Sequence, residues 1–344
     1  MTINIPGNFG FGTMSLTWTP TPLPVEGAIE TMKYITSHPE FGIKMLNGGE
    51  FYGADDLNLK YLKAFVDSNT DEFNRELIVS IKGGIDTLTL TPDGSKEGIR
   101  KSVENIISYF PLDPTKRPKL MFEIARVDPK VPYEDTVSYI NEFVKEGKLD
   151  GISLSEVGVK SIQKAVSAAP ISCVEVEFSL ATQDILHNGV LQELSKNGIP
   201  IIAYSPLCRG LLTDSAVESG DKFITSMKPG DVRTHFDRFQ PENFKQNSLF
   251  ARKLYEFAHD IKKCSLESLA ISWILAVSQR NDFHGIPSVT KILPIPSGST
   301  KDKIEKNLGQ LVDLTKEDLD LIDKICKEYP IKGYRYNESH HDFA

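Results

Sequence analysis

The feature that most constrains the fold of this chain is an eightfold alternation of short apolar runs with longer amphipathic segments. The apolar runs predict β-strands at residues 9–12, 43–47, 77–82, 119–124, 151–154, 173–177, 200–204 and 291–295. The segments between most of them are long enough to be helical crossovers between parallel strands. Eight repeats, without a glycine-rich phosphate-binding turn after the first strand, favour a single (β/α)₈ TIM barrel over a doubly wound sheet.

The composition fits one large domain over residues 1–344. Because 40% of the residues are hydrophobic, the chain can bury a core without metal or disulfides. A net charge of −8 disfavours nucleic acid as a partner. The four cysteines show no metal or redox spacing, so we expect reduced, buried thiols. Without a signal peptide or a long apolar stretch, we expect no membrane partner and a cytoplasmic location, with presence in the nucleus left open.

Two segments depart from the strand–helix pattern. Residues 209–246, after the seventh strand, predict a long loop, and loops of that length in a compact domain usually have a function. Residues 316–344 begin with a helical pattern at 317–328 and end in a polar tail. The tail contains His340 and His341, but no accompanying ligands, so we predict no metal site.

In a barrel, the groups that carry chemistry follow the carboxyl ends of the strands. Tyr52 lies after the second predicted strand, and Lys82 ends the third. A tyrosine with its ordinary pKa of about 10 is an inefficient proton donor at neutral pH. A neighbouring ammonium favours the phenolate and lowers that pKa, which suits proton exchange with an alcohol or carbonyl. The structural alternative is that Tyr52 only packs in a glycine-flanked loop.

Eight short motifs at strand ends occur in one order along nearly the whole chain. They are GFGTM at 10–14, EFYG at 50–53, IK at 81–82, RVDP at 126–129, LSEV at 154–157, EFSL at 177–180, YSPLCRGLLT at 204–213 and PIPSGS at 294–299. Each is weak alone, but together they resemble the aldo-keto reductases. That resemblance implies an NADPH-dependent reductase of a small carbonyl compound.

The resemblance also implies roles for individual residues. Tyr52 would be the general acid and Lys82 its partner, with Asn47 completing the catalytic set. Tyr204 would stack on the nicotinamide ring, and Lys303 would contact the adenosine 2′-phosphate. The whole cofactor-binding set that it implies is Thr13, Met14, Ser155, Glu156, Glu175, Tyr204, Ser205, Leu207, Arg209, Ser297, Gly298, Ser299, Lys303 and Asn307. A helix start with a nearby lysine is in any case a good phosphate site, and this cation favours NADPH over NADH.

Two positions depart from the catalytic tetrad of Asp, Tyr, Lys and His in this family. Asn47 stands at the aspartate position and Ala125 at the histidine position. Without the carboxylate, we expect Lys82 to lose its proton more easily. Ala125 cannot orient a carbonyl, and it frees space for substrate. We predict that Trp18 and Arg126 line the substrate pocket with Ala125.

The two replacements and the residues around them resemble one subfamily, the fungal pyridoxal reductases, which reduce pyridoxal to pyridoxine with NADPH. The phenolic hydroxyl of pyridoxal lies beside its aldehyde and could polarise that carbonyl in place of the missing histidine. Two alternatives remain open at this point. One is a reductase of another aldehyde or ketone, because substrate loops vary freely in such barrels. The other is a non-catalytic NADP(H)-binding regulatory subunit. The oligomeric state is not predicted.

Overall fold

The computed structural model describes residues 2–337, and the histidines at 340 and 341 lie outside this range. Its strands in chain order are β1 (Phe11–Gly12), β2 (Met45–Gly49), β3 (Ile78–Gly83), β4 (Lys119–Ile124), β5 (Gly151–Ser155), β6 (Cys173–Glu177), β7 (Ile201–Tyr204), β8 (Asn281–Phe283), β9 (Ile286–Ser288) and β10 (Ile292–Pro294). Eight of them form one parallel sheet in the order β1-β2-β3-β4-β5-β6-β7-β10. These eight lie within two residues of the predicted bounds.

Backbone hydrogen bonds close this sheet into a barrel. The amide of Gly10 donates to the carbonyl of Pro294 over 3.1 Å, which joins the first strand region to the last. Between the strands and the surrounding helices lies the main apolar core. The predicted (β/α)₈ TIM barrel is therefore confirmed. The antiparallel hairpin of β8 and β9 is an addition that the sequence pattern did not predict.

The helices surround the strands, and most of them are long enough to connect one parallel strand to the next. They are α1 (Met14–Thr17), α2 (Val25–Ser37), α3 (Leu57–Asp67), α4 (Asp71–Arg75), α5 (Lys96–Ser108), α6 (Tyr133–Lys145), α7 (Val159–Ala168), α8 (Val190–Asn197), α9 (Asp214–Ser219), α10 (Lys222–Thr225), α11 (Pro241–Glu256), α12 (Leu266–Ser278), α13 (Lys301–Leu308) and α14 (Lys316–Glu328). In the part of the chain that the structure describes, no helix is long and apolar enough to span a membrane.

The segment 209–246 is not one continuous loop, so its predicted extent is wrong. It contains α9, α10 and two 3₁₀ turns, and its last six residues belong to α11. Thr213 begins α9 by accepting a hydrogen bond from the amide of Ala216, and Pro241 occupies the first turn of α11. Capping threonines and first-turn prolines are ordinary signals of a helix start. The prediction overlooked them because it gave weight to the many glycine, aspartate and arginine residues of the segment.

Side chains along each strand point alternately into and out of the barrel, so the inward-pointing side chains lie in layers. A lower apolar layer includes Met45, Ile78, Met121, Cys173 and Leu293, and the N-terminal Ile3 and Ile5 pack against it. Two residues further along β2, β3, β4 and β6 the inward positions are polar: Asn47, Ser80, Glu123 and Glu175, all of them buried. The barrel is therefore sealed at its amino end and carries its polar groups toward its carboxyl end.

Gly83 on β3 allows the close contact between this strand and α5. A Cβ at this position would lie 2.3 Å from Ser102 Oγ and 2.8 Å from Phe122 Cε2. Ser102 cannot move aside without loss, because its hydroxyl donates to Glu50 and accepts from the amide of Gly84.

We predict that Gly83→Ala lowers the free energy of unfolding by about 1–3 kcal/mol, the usual effect of overpacking. Gly27→Ala in α2 is the matched control, because the added Cβ would lie 3.4 Å from Leu23, which is ordinary contact. That control is expected to leave stability unchanged or to raise it by up to about 1 kcal/mol. Urea unfolding followed by circular dichroism measures both variants. Equal stability of Gly83→Ala and wild type would contradict the packing argument.

Candidate active site

A cavity of about 870 Å³ opens at the carboxyl ends of the barrel strands. This volume lies in the range of small-molecule and cofactor sites. Of the residues predicted from sequence, the structure brings thirteen to its wall: Met14, Trp18, Asn47, Tyr52, Glu175, Tyr204, Ser205, Leu207, Arg209, Ser297, Ser299, Lys303 and Asn307. Side chains that the sequence analysis missed, among them Phe223, Arg233 and Glu267, complete the wall.

The other predicted residues lie behind the wall or beside it: Thr13, Lys82, Ala125, Arg126, Ser155, Glu156 and Gly298. Thr13 is buried, and its hydroxyl donates to the carbonyl of Asn47 over 2.9 Å. Gly298 sits against α13, where a Cβ would lie 2.9 Å from Ile304 Cγ1. These two residues therefore shape the backbone around the cavity and do not themselves line it.

Tyr52 is held in place by aromatic neighbours. Trp18 stacks on its ring with centroids 5.4 Å apart, and Phe51 meets it edge-on at 5.0 Å. The backbone of Gly49 lies beneath the ring, and a Cβ there would come within 2.9 Å of it. Only 8% of Tyr52 is exposed, although it reaches the cavity. The position of its ring is therefore fixed by packing on several sides.

Lys82 lies behind Tyr52 and is the centre of a buried polar cluster. Its Nζ is 5.9 Å from the centroid of the Tyr52 ring. The same ammonium lies 2.6 Å from Glu175 Oε1 and 2.9 Å from Glu123 Oε1. It also donates to Asn47 Oδ1 over 3.1 Å. We call Lys82, Glu123, Glu175 and Asn47 the lysine cluster.

Asn47 ties the two carboxylates of this cluster together. Its Nδ2 donates to Glu123 Oε2 over 2.9 Å and to Glu175 Oε2 over 2.6 Å. Strand register explains the arrangement, because Lys82 pairs with Glu123 and Asn47 pairs with Ser80 in neighbouring strands. Glu175 was predicted to contact cofactor; the structure places it on the cavity wall but bonded to Lys82 and Asn47.

The two carboxylates decide the protonation of Lys82. Burial lowers the pKa of this ammonium, but Glu123 and Glu175 outweigh burial and raise its pKa well above the ordinary value. The expectation that Lys82 loses its proton more easily is therefore wrong, since two glutamates replace the one missing aspartate. Glu123 was missed because it lies within an apolar run. A carboxylate in such a run needs a buried partner, and that was the available signal.

Tyr52 is a neutral phenol at ordinary pH. Burial raises its pKa to about 12, although the charge of Lys82 acts in the opposite direction. The sequence analysis considered only the lysine, and burial turns out to be the larger effect. Tyr52 thus holds a proton that it can give up only when something in the cavity accepts it.

A second buried cluster lies beside the cavity and includes the end of the described chain. Arg335 Nη2 lies 2.7 Å from Glu156 Oε2, and both side chains are at most 4% exposed. Glu177 lies 3.7 Å from Arg335 and 3.6 Å from Arg238. Burial raises the pKa of Glu156, but Arg335 outweighs it, so the pKa of Glu156 is lowered. Glu156, predicted to bind cofactor, lies behind the cavity wall and accepts hydrogen bonds from Arg335 in the segment after α14.

Tyr336 follows Arg335 and brings the tail to the cavity wall. Its hydroxyl lies 2.8 Å from that of Tyr204, the residue predicted to stack on nicotinamide. The guanidinium of Arg209 lies over the Tyr336 ring at 5.1 Å and over the Phe236 ring at 4.7 Å. The segment after α14 therefore holds Tyr204 and Arg209 in position through Tyr336. The sequence did not reveal these contacts, because the partners are far apart in the chain.

The turn after β7 has an unusual backbone. Ser205, Cys208 and Arg209 have φ angles of +49°, +45° and +52°. Non-glycine residues rarely adopt this region, and such positions cluster at functional sites. Ser205 and Arg209 both line the cavity. The backbone strain is thus located at the sharp turn that brings these side chains to the cavity.

The opposite wall is the start of α13. Thr300 caps this helix by accepting from the amide of Lys303, and Lys303 Nζ donates to Ser299 Oγ over 3.2 Å. Asn307 donates to the carbonyl of Ser297 over 3.1 Å, which folds the preceding segment against the helix. The cavity therefore has, at one end, a hydroxyl, an ammonium and a helix start that together suit an anion.

Two predictions for a substrate pocket are not met. Ala125 is 1% exposed and does not line the cavity, so it offers no surface to a substrate in this structure. Arg126 turns away to donate to the carbonyl of Ala125 over 2.6 Å and to the hydroxyl of Tyr336 over 3.4 Å. Among the three predicted pocket residues, only Trp18 reaches the wall.

The described residues contain no group of three or more His, Cys, Asp or Glu arranged to hold a metal ion. Cys173, Cys208 and Cys264 are buried and Cys326 is half-buried, all four as free thiols. Burial raises the pKa of Cys326 to about 12, so this thiol is not a reactive thiolate.

Comparison with known proteins identifies the class to which this architecture belongs. Residues 8–327 match the Aldo/keto reductase family, and the chain belongs to that family. The "Probable pyridoxal reductase 2" of Schizosaccharomyces pombe is 34% identical over 335 residues, covering 96% of this chain and 95% of the relative. A Saccharomyces cerevisiae protein with a provisional pyridoxal reductase name is 36% identical over 346 residues, covering 95% of each.

Solved structures agree on the fold. The glycerol dehydrogenase of Gluconobacter oxydans aligns with a TM-score of 0.77 at 18% identity, covering 97% of both chains. A thermostable aldo-keto reductase aligns with a TM-score of 0.66 at 20% identity, covering 93% of this chain and 95% of that chain. At these identities the comparison concerns the barrel and not its substrate.

We predict that Arg335→Met lowers the free energy of unfolding by about 3–5 kcal/mol, because it leaves the buried Glu156 carboxylate without its cation. The double variant Glu156→Gln/Arg335→Met is expected to lose less, since no charge is stranded. Lys96→Met is the control, because the Lys96–Glu142 pair is exposed and such pairs contribute at most about 1 kcal/mol. Equal losses in Arg335→Met and Lys96→Met on urea unfolding would contradict this account.

Proposed function

We propose that this aldo-keto reductase reduces the aldehyde of pyridoxal with NADPH, and that Tyr52 donates the proton. The observation that carries the proposal is the position of Tyr52. It is the protonated phenol on the cavity wall, packed by Trp18 and backed by the ammonium of Lys82. A general acid must hold a proton when the substrate arrives, which the neutral phenol does, and the Lys82 ammonium opposes the rise in its pKa that burial causes.

The cavity also fits a dinucleotide cofactor. Ser155 Oγ and Arg209 Nε are buried and have no hydrogen-bond partner within residues 2–337. Buried polar atoms are nearly always satisfied, so these two would suit the polar groups of a cofactor. Tyr204 would stack on the nicotinamide, Ser155 would contact its carboxamide, and Arg209 with Leu207 would cover the pyrophosphate.

The phosphate end favours NADPH over NADH. Lys303 and Ser299 lie at the start of α13, where amide dipoles and an ammonium suit a 2′-phosphate. Asn307 would face the adenine. When bound, NADPH supplies the hydride that reduces the carbonyl carbon. The protein positions the carbonyl beside Tyr52, excludes water through the Trp18 and Phe51 packing, and protonates the carbonyl oxygen.

The wall beside Tyr52 supports a flat aromatic substrate. Trp18 and Tyr52 place two stacked rings on this wall, with centroids 5.4 Å apart, and Phe51 packs edge-on against both from behind the wall. Aromatic rings stack favourably on such surfaces. The two relatives with pyridoxal reductase names share about a third of their residues with this chain, which makes pyridoxal the first substrate to assay. Its phenolic hydroxyl would polarise the aldehyde internally, and no histidine of the described residues lines the cavity to do so.

We predict that Tyr52→Phe keeps NADPH binding and loses turnover by about 10²–10⁴-fold, the usual contribution of a positioned general acid. Phenylalanine preserves the packing on Trp18 and removes only the transferable proton. Loss of NADPH absorbance on addition of pyridoxal measures turnover, and quenching of protein fluorescence measures binding.

Tyr133→Phe is the matched control for that experiment. Tyr133 is buried away from the cavity, and its hydroxyl has no hydrogen-bond partner among the described residues. Its removal is expected to leave turnover unchanged. Turnover of Tyr52→Phe within about twofold of wild type, with chemistry limiting the rate, would refute the proton-donor role. Wild-type turnover only with other aldehydes would refute pyridoxal, and none with any carbonyl would favour a non-catalytic NADP(H)-binding subunit.

We predict that Lys303→Met weakens NADPH binding about tenfold or more while changing NADH binding little, because only NADPH carries the 2′-phosphate. Lys301→Met is the control from the same helix. The Lys301 ammonium lies over the Tyr34 ring at 5.2 Å and is absent from the cavity wall. Fluorescence titration of both cofactors tests the pair. Equal weakening of NADPH and NADH in Lys303→Met would show that this lysine does not read the phosphate.

A further inference from the structure

The lysine cluster contains more negative than positive charge. Lys82 contributes one cation, and Glu123 and Glu175 contribute two carboxylates, all three side chains being at most 6% exposed. If both glutamates were ionised, a net negative charge would remain buried without compensation, and such charges are strongly disfavoured. One proton shared between the two carboxyl groups makes the cluster neutral.

The geometry provides for that shared proton. Lys82 Nζ and Asn47 Nδ2 each contact both Glu123 and Glu175, which brings the two carboxyl groups side by side. Of the two, Glu175 lies on the cavity wall, whereas Glu123 is fully buried behind it. A proton lost from the pair therefore has a route to water in the cavity through Glu175.

We propose that Glu123 and Glu175 share one proton and act together as a single negative charge that positions the Lys82 ammonium behind Tyr52, and that ionisation of this pair at alkaline pH switches the site off. This inference deepens the proposed function and rests on it for its kinetic consequences. In the switching step the carboxyl O–H bond breaks, the proton passes to water in the cavity, and the cluster changes from neutral to singly negative.

The groups around Glu175 set the direction of this effect. Burial and the neighbouring Glu123 raise the pKa of Glu175 to about 8, although Lys82 acts against them. Tyr52 follows β2, and Cys173 lies on β6 itself; both are neutral at this pH, because burial raises the pKa of each. Its in-register neighbours are Ser155 on β5 and Ile202 on β7, which do not titrate. The pair thus loses its proton near the upper end of the neutral range.

Ionisation of the pair opposes carbonyl reduction. Negative charge on Glu123 and Glu175 raises the pKa of Tyr52, which makes its proton harder to transfer. Negative charge also develops on the substrate oxygen during reduction, and a nearby uncompensated carboxylate opposes it. We therefore expect kcat/KM for reduction to fall by roughly two- to tenfold as the pH rises through about 8, because each unit of rise in the donor's pKa slows proton transfer by at most about tenfold.

Infrared spectroscopy tests the shared proton without any turnover. In the full-length protein at neutral pH, the difference spectra between wild type and Glu175→Gln, and between wild type and Glu123→Gln, are expected to show the carbonyl stretch of one protonated carboxyl group. This band should titrate away around pH 8. Both single variants should lack it, because the remaining glutamate then faces Lys82 alone and ionises. Glu50→Gln, which removes another buried carboxyl, is expected to leave the band unchanged.

Kinetics test the single-charge role. Each single glutamine variant is expected to lose about two- to fivefold in kcat/KM at neutral pH and to lose the alkaline fall of wild type. The double variant Glu123→Gln/Glu175→Gln leaves Lys82 without a counter-charge, so its loss should exceed the product of the single losses by about tenfold or more. A purely structural role would lower rates without changing the pH profile.

Three results would overturn the inference: no titrating carboxyl band in wild type, a band that persists in either single variant, or an alkaline fall that survives in Glu175→Gln. The infrared result also separates this inference from the proposed function. A wild-type protein that shows the titrating band but reduces no aldehyde retains the shared proton and refutes the reductase. A protein that reduces pyridoxal without the band refutes only the shared proton.

Discussion

The site depends on one buried ammonium. Lys82 lies inside the barrel, 5% exposed, where an unpaired cation would lose most of its hydration. It is stable there because Glu123 and Glu175 lie within 2.9 Å and Asn47 accepts a third hydrogen bond. Strands β2, β4 and β6 supply these partners, and β6 is not adjacent to the strand of Lys82, so the site is complete only when the sheet has curled into a barrel. Any change that shifts the register of β2, β3 or β4 would separate the lysine from its counter-charges.

Sequence patterning predicted the parts of the structure that local interactions determine. All eight barrel strands were predicted, and the helical pattern at 317–328 agrees with α14 to within one residue. Tyr52 was identified because barrel chemistry lies at strand ends. Glu123 was not, because its partner is fixed by pairing of β3 with β4, which a single strand does not reveal. Arg335 and Glu156 are 179 residues apart, so only the folded chain shows that they meet.

Two buried carboxyl groups at strand ends are each paired with a buried cation. Glu156 is paired with Arg335, which follows α14. Glu175 is paired with Lys82 on β3. In both cases a buried carboxylate accompanies a buried cation, as desolvation requires. The charges of these buried carboxyl groups are therefore compensated within the same barrel, and for Glu156 the segment after α14 supplies the cation.

Asn47 shows how the carboxyl groups beside Lys82 are held together. An aspartate at this position would place a third carboxylate beside Glu123 and Glu175, against a single lysine. Asparagine removes that charge and, unlike aspartate, donates: one Nδ2 serves both glutamates while Oδ1 accepts from Lys82. The amide thus holds two mutually repelling carboxyl groups side by side by donating to both. In this barrel the negative charge beside the lysine comes from β4 and β6, and the asparagine on β2 fixes its position.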